Sequence, residues 1–261
     1  MGVNHVTTAD GEELINLMSD TVNEANLLYG ESAHDKAGNP VTGKVIPYVP
    51  NRLVNSEFYV NQREIKGVFD QVGKGFIDRW VLVSGTVTVN DDKSLTLNGE
   101  ISQRLAAPIG GDFVAQASAG EATYDDETQL FVLSANGETI RWASLTPGKL
   151  SLPFVKTNEA EEVTKCQYYL EIIPLSTMLR AYHANGVAGF SLASPKRVVP
   201  TVTVYSADGS EGYIDEPLTA KKIKIIGAQA SKGAVINIIS DAAFTVNQVY
   251  RGKFVVSAEL N

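Results

Sequence analysis

The chain has 261 residues, a net charge of −8, one cysteine and three histidines. This length allows one large domain or two modest ones, and a hydrophobic fraction of 44% excludes wholesale disorder. The single cysteine excludes an intramolecular disulfide framework, and no stretch approaches the ~18 uninterrupted apolar residues of a transmembrane helix. The N-terminus lacks the basic start and apolar run of a secretory signal, and the acidic balance disfavours nucleic acid as a partner.

Residues 1–50 carry most of the negative charge and the clearest helical pattern. They contain seven acids and two bases, which gives −5 of the total −8. Four apolar residues recur there at intervals of three and four: Ile15, Met18, Val22 and Ala25. This spacing predicts an apolar stripe on a helix that begins near Asp10 and ends before Gly30. A lone helix of about five turns is marginal in water, so the stripe must be buried. It either packs on the chain's own β-strand region, residues 51–261, which we call the β-body, or joins an oligomeric bundle or a larger assembly.

The remainder of the chain has the period-two pattern of β-strands. A turn-rich linker at residues 36–43 precedes short apolar alternations, which are separated by turns such as residues 90–93. Asn136 and Gly137 lie between two such segments and predict a two-residue hairpin. Many short strands at regular spacing predict an antiparallel sandwich or jelly roll over residues 51–261, with a subdivision near residue 160 as an option.

No recognisable catalytic or metal-binding pattern occurs in the sequence. The histidines lie far apart, and there is neither a Gly-x-Ser-x-Gly elbow nor a phosphate-binding loop. We therefore expect no metal site, no cofactor and no enzymatic activity. Asp125 and Asp126 are interpreted as part of a solvated loop, although a glycosidase would need such carboxylates across a sugar cleft. Cys166 is interpreted as a buried, inert thiol in a strand.

Three aromatic residues are candidate platforms for a sugar or a protein partner: Trp142, Tyr168 and Tyr182. An aromatic ring offers a large apolar face together with a polar edge or hydroxyl, which suits both roles. Packing in the hydrophobic core is the competing interpretation for each of the three.

Two stretches of the sequence resemble parts of a family of bacteriophage virion proteins. The first reads NRLVNSEFYVNQR over residues 51–63 and continues with Asp78, Arg79 and Trp80. The family usually has glycine where Ser56 stands and often has glycine where Glu64 stands. The second stretch reads CQYY at residues 166–169, PTVTV at 200–204 and SAEL at 257–260, and it lacks the family's arginine after Gln167. Together the two stretches span about four fifths of the chain.

The resemblance implies an antiparallel jelly-roll or galactose-binding-like β-sandwich. Together with the α-helix predicted from the apolar spacing, the expected fold is mainly β, with an N-terminal helix before the sandwich. It implies a place in tail fibres, baseplate-associated proteins or capsid fibres, often as a trimer, and no particular enzyme. The residues themselves suggest a structural role for the first stretch. Arg63, Asp78 and Arg79 are predicted to form a hydrogen-bonded network that holds a loop beside Trp80.

The leading hypothesis is therefore a structural protein of the virion, assembled in the cytoplasm of the bacterial host. Residues 1–50 would anchor or oligomerise it, and residues 51–261 would form a β-sandwich that binds host-surface glycan. The expected partners are further copies of the chain, other virion proteins and a glycan, without nucleic acid or membrane insertion. Two alternatives stay open: a virion-associated polysaccharide-degrading enzyme, and a pure cement or connector protein without a receptor.

Overall fold

The computed structural model describes residues 3–45, 47, 49–184, 186–219 and 221–259. Strands form 46% of the protein and helix 4%, and antiparallel sheets give a sandwich-like arrangement, which confirms the mainly β prediction. The chain divides into two compact units. The smaller comprises Met1–Asn51 with Gly111–Val114 and Thr146–Val155, and the larger comprises Arg52–Gly110, Ala115–Leu145 and Lys156–Asn261. No sequence pattern predicts that Gly111–Val114 and Thr146–Val155 belong to the smaller unit.

Helix α1 (Glu159–Gln167) divides the strands into two groups along the chain. The strands before it are β1 (His5–Thr7), β2 (Glu13–Asn16), β3 (Ser32–His34), β4 (Pro40–Thr42), β5 (Gly67–Phe69), β6 (Gly75–Ile77), β7 (Trp80–Val89), β8 (Leu95–Arg104), β9 (Phe113–Ala117), β10 (Glu121–Asp125), β11 (Leu130–Ile140) and β12 (Ala143–Pro147). The strands after it are β13 (Leu170–Ile173), β14 (Met178–His183), β15 (Gly186–Ser191), β16 (Thr201–Tyr205), β17 (Tyr213–Glu216), β18 (Lys221–Ala230), β19 (Ala234–Ser240), β20 (Val249–Arg251) and β21 (Lys253–Ser257).

The prediction of an N-terminal helix is wrong. Residues 5–16 form the antiparallel pair β1–β2 instead, with a left-handed Gly11 (φ +87°) in the turn between them. Of the four stripe residues, Ile15 lies in β2, Met18 and Ala25 lie in turns that follow it, and Val22 lies in the irregular chain between those turns. Ile15, Met18 and Ala25 are exposed and Val22 is half-buried, so no buried stripe exists.

Asparagine side chains in this segment explain why the apolar spacing misled. The Met18 amide donates to Asn16 Oδ1 at 3.0 Å, and the Ala25 amide donates to Asn23 Oδ1 at 2.9 Å. Such local bonds compete with the helical hydrogen bonds between residues four apart. The expected linker at residues 36–43 is likewise structured, because β3 and β4 pair as a small antiparallel hairpin.

One sheet of the larger unit has the strand order β10-β11-β8-β7-β5, and β6 also pairs with β7. β7 and β8 pair across the turn predicted at residues 90–93. The hairpin predicted at Asn136 and Gly137 does not form, because β11 runs through both residues along β8. The left-handed Gly137 (φ +85°) serves a bulge between Asn136 and Glu138 instead of a turn. The large buried side chains of this sheet include Trp80, Leu82, Leu97, Ile101 and Phe131.

The second half of the larger unit combines a closed barrel with a three-stranded sheet. The barrel has the order β14-β15-β19-β18-β17-β20, and the sheet has the order β13-β21-β16. A single apolar cluster joins them, since Phe254 and Val256 of β21 and Val204 of β16 are buried with barrel residues such as Ile214 and Tyr250. One face of the three-stranded sheet therefore packs in the hydrophobic core, and the opposite face is half-buried.

Helix α1 ends at the CQYY motif, so the interpretation of Cys166 as a strand residue is wrong. Asn158 caps the helix, with its side chain accepting from the Ala160 amide at 2.9 Å. Cys166 is buried near the C-terminal end of the helix, and burial raises the pKa of its thiol well above the ordinary value. The thiol is thus held in its protonated, unreactive form.

Candidate functional site

Asn55 is the centre of a buried polar cluster built from the first motif. It is fully buried, has a left-handed backbone (φ +58°), and its side chain bonds both the amide and the carbonyl of Val60. Its own amide donates to the Glu162 carboxylate at 2.6 Å, and its carbonyl accepts from Trp80 Nε1 at 3.0 Å. The motif therefore joins helix α1 to the start of β7 through satisfied hydrogen bonds.

Asp78 and Gln62 form the second part of this cluster. Asp78 accepts from the Gln62 amide at 2.7 Å and from Gln62 Nε2 at 2.6 Å. The same Gln62 side chain donates to the Leu170 carbonyl at 2.9 Å and accepts from the Ile172 amide at 3.2 Å. Gln62 thus occupies the edge of β13 as a neighbouring strand would. Burial raises the pKa of Asp78, and the hydrogen bonds from Gln62 oppose that rise.

The predicted network of Arg63, Asp78 and Arg79 is divided between separate partners. Arg63 Nη2 pairs with Glu259 at 2.5 Å, and Arg63 Nη1 lies 3.3 Å from the Ile77 carbonyl. Glu259 belongs to the C-terminal motif, of which Leu260 lies outside the described residues. Arg79 bonds neither of its predicted partners and contacts Tyr169 instead. Trp80 is fully buried, with its ring edge-on to Phe58 at 5.3 Å.

A groove lies on the outer face of the three-stranded sheet, beside Arg63. Along β21 the residues alternate, with Phe254 and Val256 buried in the core and Lys253 and Val255 on the opposite, half-buried face. Strand pairing places Tyr205 of β16 opposite Lys253 and Ile172 of β13 opposite Val255. These four side chains therefore share one face because of the register of three strands.

The groove has a volume of about 440 Å³ and combines an apolar floor with positive charge. Ile172, Leu175 and Val255 supply apolar surface, while Arg63 and Lys253 supply two cations. Lys253 forms no ion pair within the described residues, whereas Arg63 shares its charge with Glu259. No acidic side chain lines the groove in the described part of the chain. Such a surface suits an anionic ligand with an apolar face.

One wall of the groove is the ordered turn at residues 206–210. Asp208 holds it, accepting from Ser206 Oγ at 2.6 Å and from the Ser210 amide at 3.1 Å. Lys222 also bonds Asp208, and these bonds together lower the pKa of the Asp208 carboxyl. At the base of the turn, Tyr205 donates to Glu211 at 3.3 Å, and burial is the main cause of its raised pKa. The tyrosine ring is thus fixed at the edge of the groove.

The three predicted aromatic platforms lie on different elements and do not line this groove. Trp142 is half-buried between β11 and β12, and its carbonyl accepts from the Ser118 amide at 3.0 Å. Tyr168 follows helix α1, is 39% exposed and stands edge-on to Tyr169 at 5.3 Å. Tyr182 is exposed on β14. The structure does not bring the three together, and the aromatic residue of the groove is Tyr205.

Asp125 and Asp126, the carboxylates considered for catalysis, stabilise turns. Asp125 accepts from the Glu127 amide at 3.0 Å and from Thr128 Oγ1 at 2.7 Å, and these bonds lower its pKa. Asp126 accepts from the Ile109 amide at 2.7 Å and from the Tyr124 hydroxyl at 2.9 Å. Partial burial, together with the neighbouring Asp126, raises the pKa of Tyr124 to about 12. Both carboxylates thus have structural partners.

Sequence reasoning singled out Arg63 but missed Tyr205 and Lys253, the other two residues on which the binding argument depends. Tyr205 and Lys253 lie 48 positions apart and meet only through strand pairing, so no local pattern marks them. A buried ion pair between Lys196 and Glu171 was also missed, because neither residue belongs to a recognisable motif. The one available indication was the alternation along residues 253–256, which places Lys253 and Val255 on the same face of a strand.

Among the described residues, no group of three histidine, cysteine, aspartate or glutamate side chains is placed to hold a metal ion. In that part of the chain, no helix is long and apolar enough to cross a membrane. Comparison of the chain with protein-family models, with curated proteins and with solved structures finds no match in any of the three.

Proposed function

We propose that this protein is a structural component of a bacteriophage virion whose β-body binds an acidic glycan of the host surface. The virion assignment rests on the resemblance of the two sequence stretches, and the fold proposed with it is a jelly-roll or galactose-binding-like sandwich. The observation that carries the binding proposal is the groove formed by Tyr205, Lys253 and Arg63.

The composition of the groove favours a sugar that bears a carboxylate. A pyranose ring has an apolar face that packs on Tyr205 or on the Ile172 and Val255 side chains. Its carboxylate would pair with Lys253, which has no ion-pair partner among the described residues, and with the outer edge of Arg63. Weak single sites of this kind become effective when several copies bind together, and an oligomeric fibre provides those copies.

The N-terminal segment is proposed to join copies of the chain, as a trimer, or to join the chain to other virion proteins. This segment leaves large apolar side chains exposed, including Leu14, Ile15, Met18 and Leu28. Sedimentation equilibrium of the full chain tests this part of the proposal. A trimer that dissociates in the Met18→Asp variant is expected, and a monomer at all concentrations would exclude self-association.

A pure cement or connector protein is the second candidate function, and the exposed apolar side chains of the N-terminal segment favour it. The polysaccharide-degrading alternative has less support, because the groove is lined by bases and by no described carboxylate. Glycan binding separates the two remaining functions.

The experiment has two arms. Quantitative mass spectrometry of purified particles from the phage that encodes the chain measures whether the protein is a virion component, and we expect it in several copies per particle. Calorimetric titration of the full chain with acidic oligosaccharides from the host surface, and with the same oligosaccharides after carboxyl reduction, measures binding. Binding lost on reduction is expected. Equal binding of both forms, or of neither, would overturn the groove assignment.

A further inference from the structure

A second groove lies where β8 ends, and it contains two arginines. It has a volume of about 200 Å³ and is lined by the Arg52, Arg79 and Tyr169 side chains and by the loop at residues 105–109. No acidic side chain of the described residues lines it. The groove is separate from the one beside Tyr205 and shares no lining residue with it.

Arg79 is a buried cation without a carboxylate partner. Arg79 is only 5% exposed, and no carboxylate of the described chain lies within 4.0 Å of its guanidinium. Nη2 bonds the Arg104 carbonyl, and the guanidinium carbon lies 3.9 Å from the centre of the Tyr169 ring. Neither the buried Nε nor Nη1 donates a hydrogen bond to a described residue. Buried charged groups are ordinarily paired, so this guanidinium has unused donors in a place where they are costly.

The surrounding charges do not replace the missing partner. Burial lowers the pKa of Arg79, and this change is opposed by Tyr169, whose ring the guanidinium contacts, and by Glu259, which forms no ion pair with Arg79. Glu259 is already bonded to Arg63. Arg197 adds a further positive charge in the vicinity and acts in the same direction as burial. No carboxylate among the described residues therefore neutralises Arg79 directly.

The backbone around the groove adds to the same picture. Arg79 has a left-handed backbone conformation (φ +72°), which is unfavourable for a residue other than glycine. Such strained conformations cluster at ligand-binding and catalytic sites. Arg52 is exposed beside it and forms no ion pair with a described residue. In the adjoining loop, the amides of Ala106 and Ala107 donate no hydrogen bond within the described chain.

We propose that the groove formed by Arg52, Arg79 and the loop at residues 105–109 binds a small oxyanion, either a carboxylate or a sulfate or phosphate group. The guanidinium of Arg79 provides a planar set of donors that matches such an anion, and Arg52 closes over it as the second cation. A groove of this volume accommodates an anionic group of a few heavy atoms together with its point of attachment. The site does not depend on the glycan groove, because the two share no residue.

The test is isothermal titration of the full chain with sodium phosphate, sodium sulfate and sodium acetate at constant ionic strength set with sodium chloride. Saturable binding of at least one of the three anions is expected. Preference for phosphate or sulfate over acetate would identify a tetrahedral oxyanion, and the reverse preference would identify a carboxylate. Absence of saturable binding by all three would overturn the proposal.

Matched variants locate the binding. Arg52→Gln removes the exposed cation without disturbing the core and is expected to weaken binding about tenfold. Arg180→Gln removes an exposed arginine from β14 and should leave binding unchanged. Arg79→Gln should abolish binding if the variant folds, and Arg52→Gln remains decisive if it does not. Equal affinity of Arg52→Gln and the wild type, or an equal loss in Arg180→Gln, would contradict the assignment.

Discussion

The buried ion pair of Lys196 and Glu171 gives the most demanding prediction about stability. Lys196 Nζ donates to Glu171 Oε2 at 2.7 Å, to the Gln167 carbonyl at 2.5 Å and to the Ser194 carbonyl at 2.9 Å. The Lys196 side chain is fully buried and that of Glu171 is 6% exposed. Glu171 precedes Ile172 on β13, so the pair fixes the strand that forms part of the groove floor.

Replacing Lys196 by methionine keeps most of the side-chain volume but removes the ammonium group. Glu171 would keep only the Ala193 amide, at 3.0 Å, as a described donor, and two carbonyls would lose theirs. Breaking a buried pair in this way costs about 3–5 kcal/mol. The double variant Glu171→Leu, Lys196→Met removes both charges and should recover most of that loss, because no charge is left unpaired in the core.

Urea unfolding followed by tryptophan fluorescence measures these free energies, since the fully buried Trp80 and the half-buried Trp142 both lie in the same unit as the ion pair. With an m-value of about 3 kcal/mol per molar urea, Lys196→Met should lower the midpoint by about 1–1.7 M. The matched control is Lys222→Met, which removes the exposed pair with Asp208 and should cost less than about 1 kcal/mol. If Lys196→Met costs no more than Lys222→Met, the reasoning from burial is wrong.

Three further predictions use the same unfolding assay. Ser56→Ala should stabilise the protein by about 1 kcal/mol, because the buried Ser56 hydroxyl has no hydrogen-bond partner among the described residues. Ser94→Ala, the control, should destabilise it by removing the bond to Asp92, and a loss of stability in Ser56→Ala would refute the argument. Glu64→Gly should raise the urea midpoint, because the φ of Glu64 is +58° and glycine relieves the strain of that conformation. Lys66→Gly, at a residue without positive φ, should lower the midpoint, and a shift of the midpoint in the same direction in both variants would count against the strain argument. Burial raises the pKa of Asp78 above 3.8 in the folded protein. The wild type should therefore lose stability relative to Asp78→Asn as pH rises from about 4 through the folded-state pKa. A difference in unfolding free energy between the two proteins that does not change with pH would contradict this.

The strands of the β-body could be predicted because their apolar alternation is local. β16 and β21 coincide almost residue for residue with alternating segments of the sequence, and the turn between β7 and β8 carries ordinary turn residues. The N-terminal helix failed because the spacing of apolar residues was counted without the asparagines between them, whose side chains take up backbone amides. At Gly137 the local signal correctly indicated a left-handed backbone, but that conformation forms a bulge instead of a hairpin turn, since β8 continues alongside β11.

The site could not be predicted in the same way, because it depends on pairing between distant segments. Tyr205 and Lys253 meet through the register of β16 and β21, and Ile172 joins them from β13. Nor does the sequence show that Arg79 lacks an ion-pair partner among the described residues, although its motif predicted a paired arginine. Glu64 has a left-handed backbone (φ +58°), which glycine adopts more readily, and glycine often stands at this place in the family that the motif resembles.

The central claim is that the groove beside Tyr205 binds a sugar carboxylate through Lys253. It is tested most directly by titrating one acidic host oligosaccharide into the wild type, Lys253→Gln and Lys224→Gln, the last being an exposed lysine on β18 outside the groove. Lys253→Gln should weaken binding about tenfold, and Lys224→Gln should match the wild type. Equal affinity of the wild type and Lys253→Gln would contradict the claim.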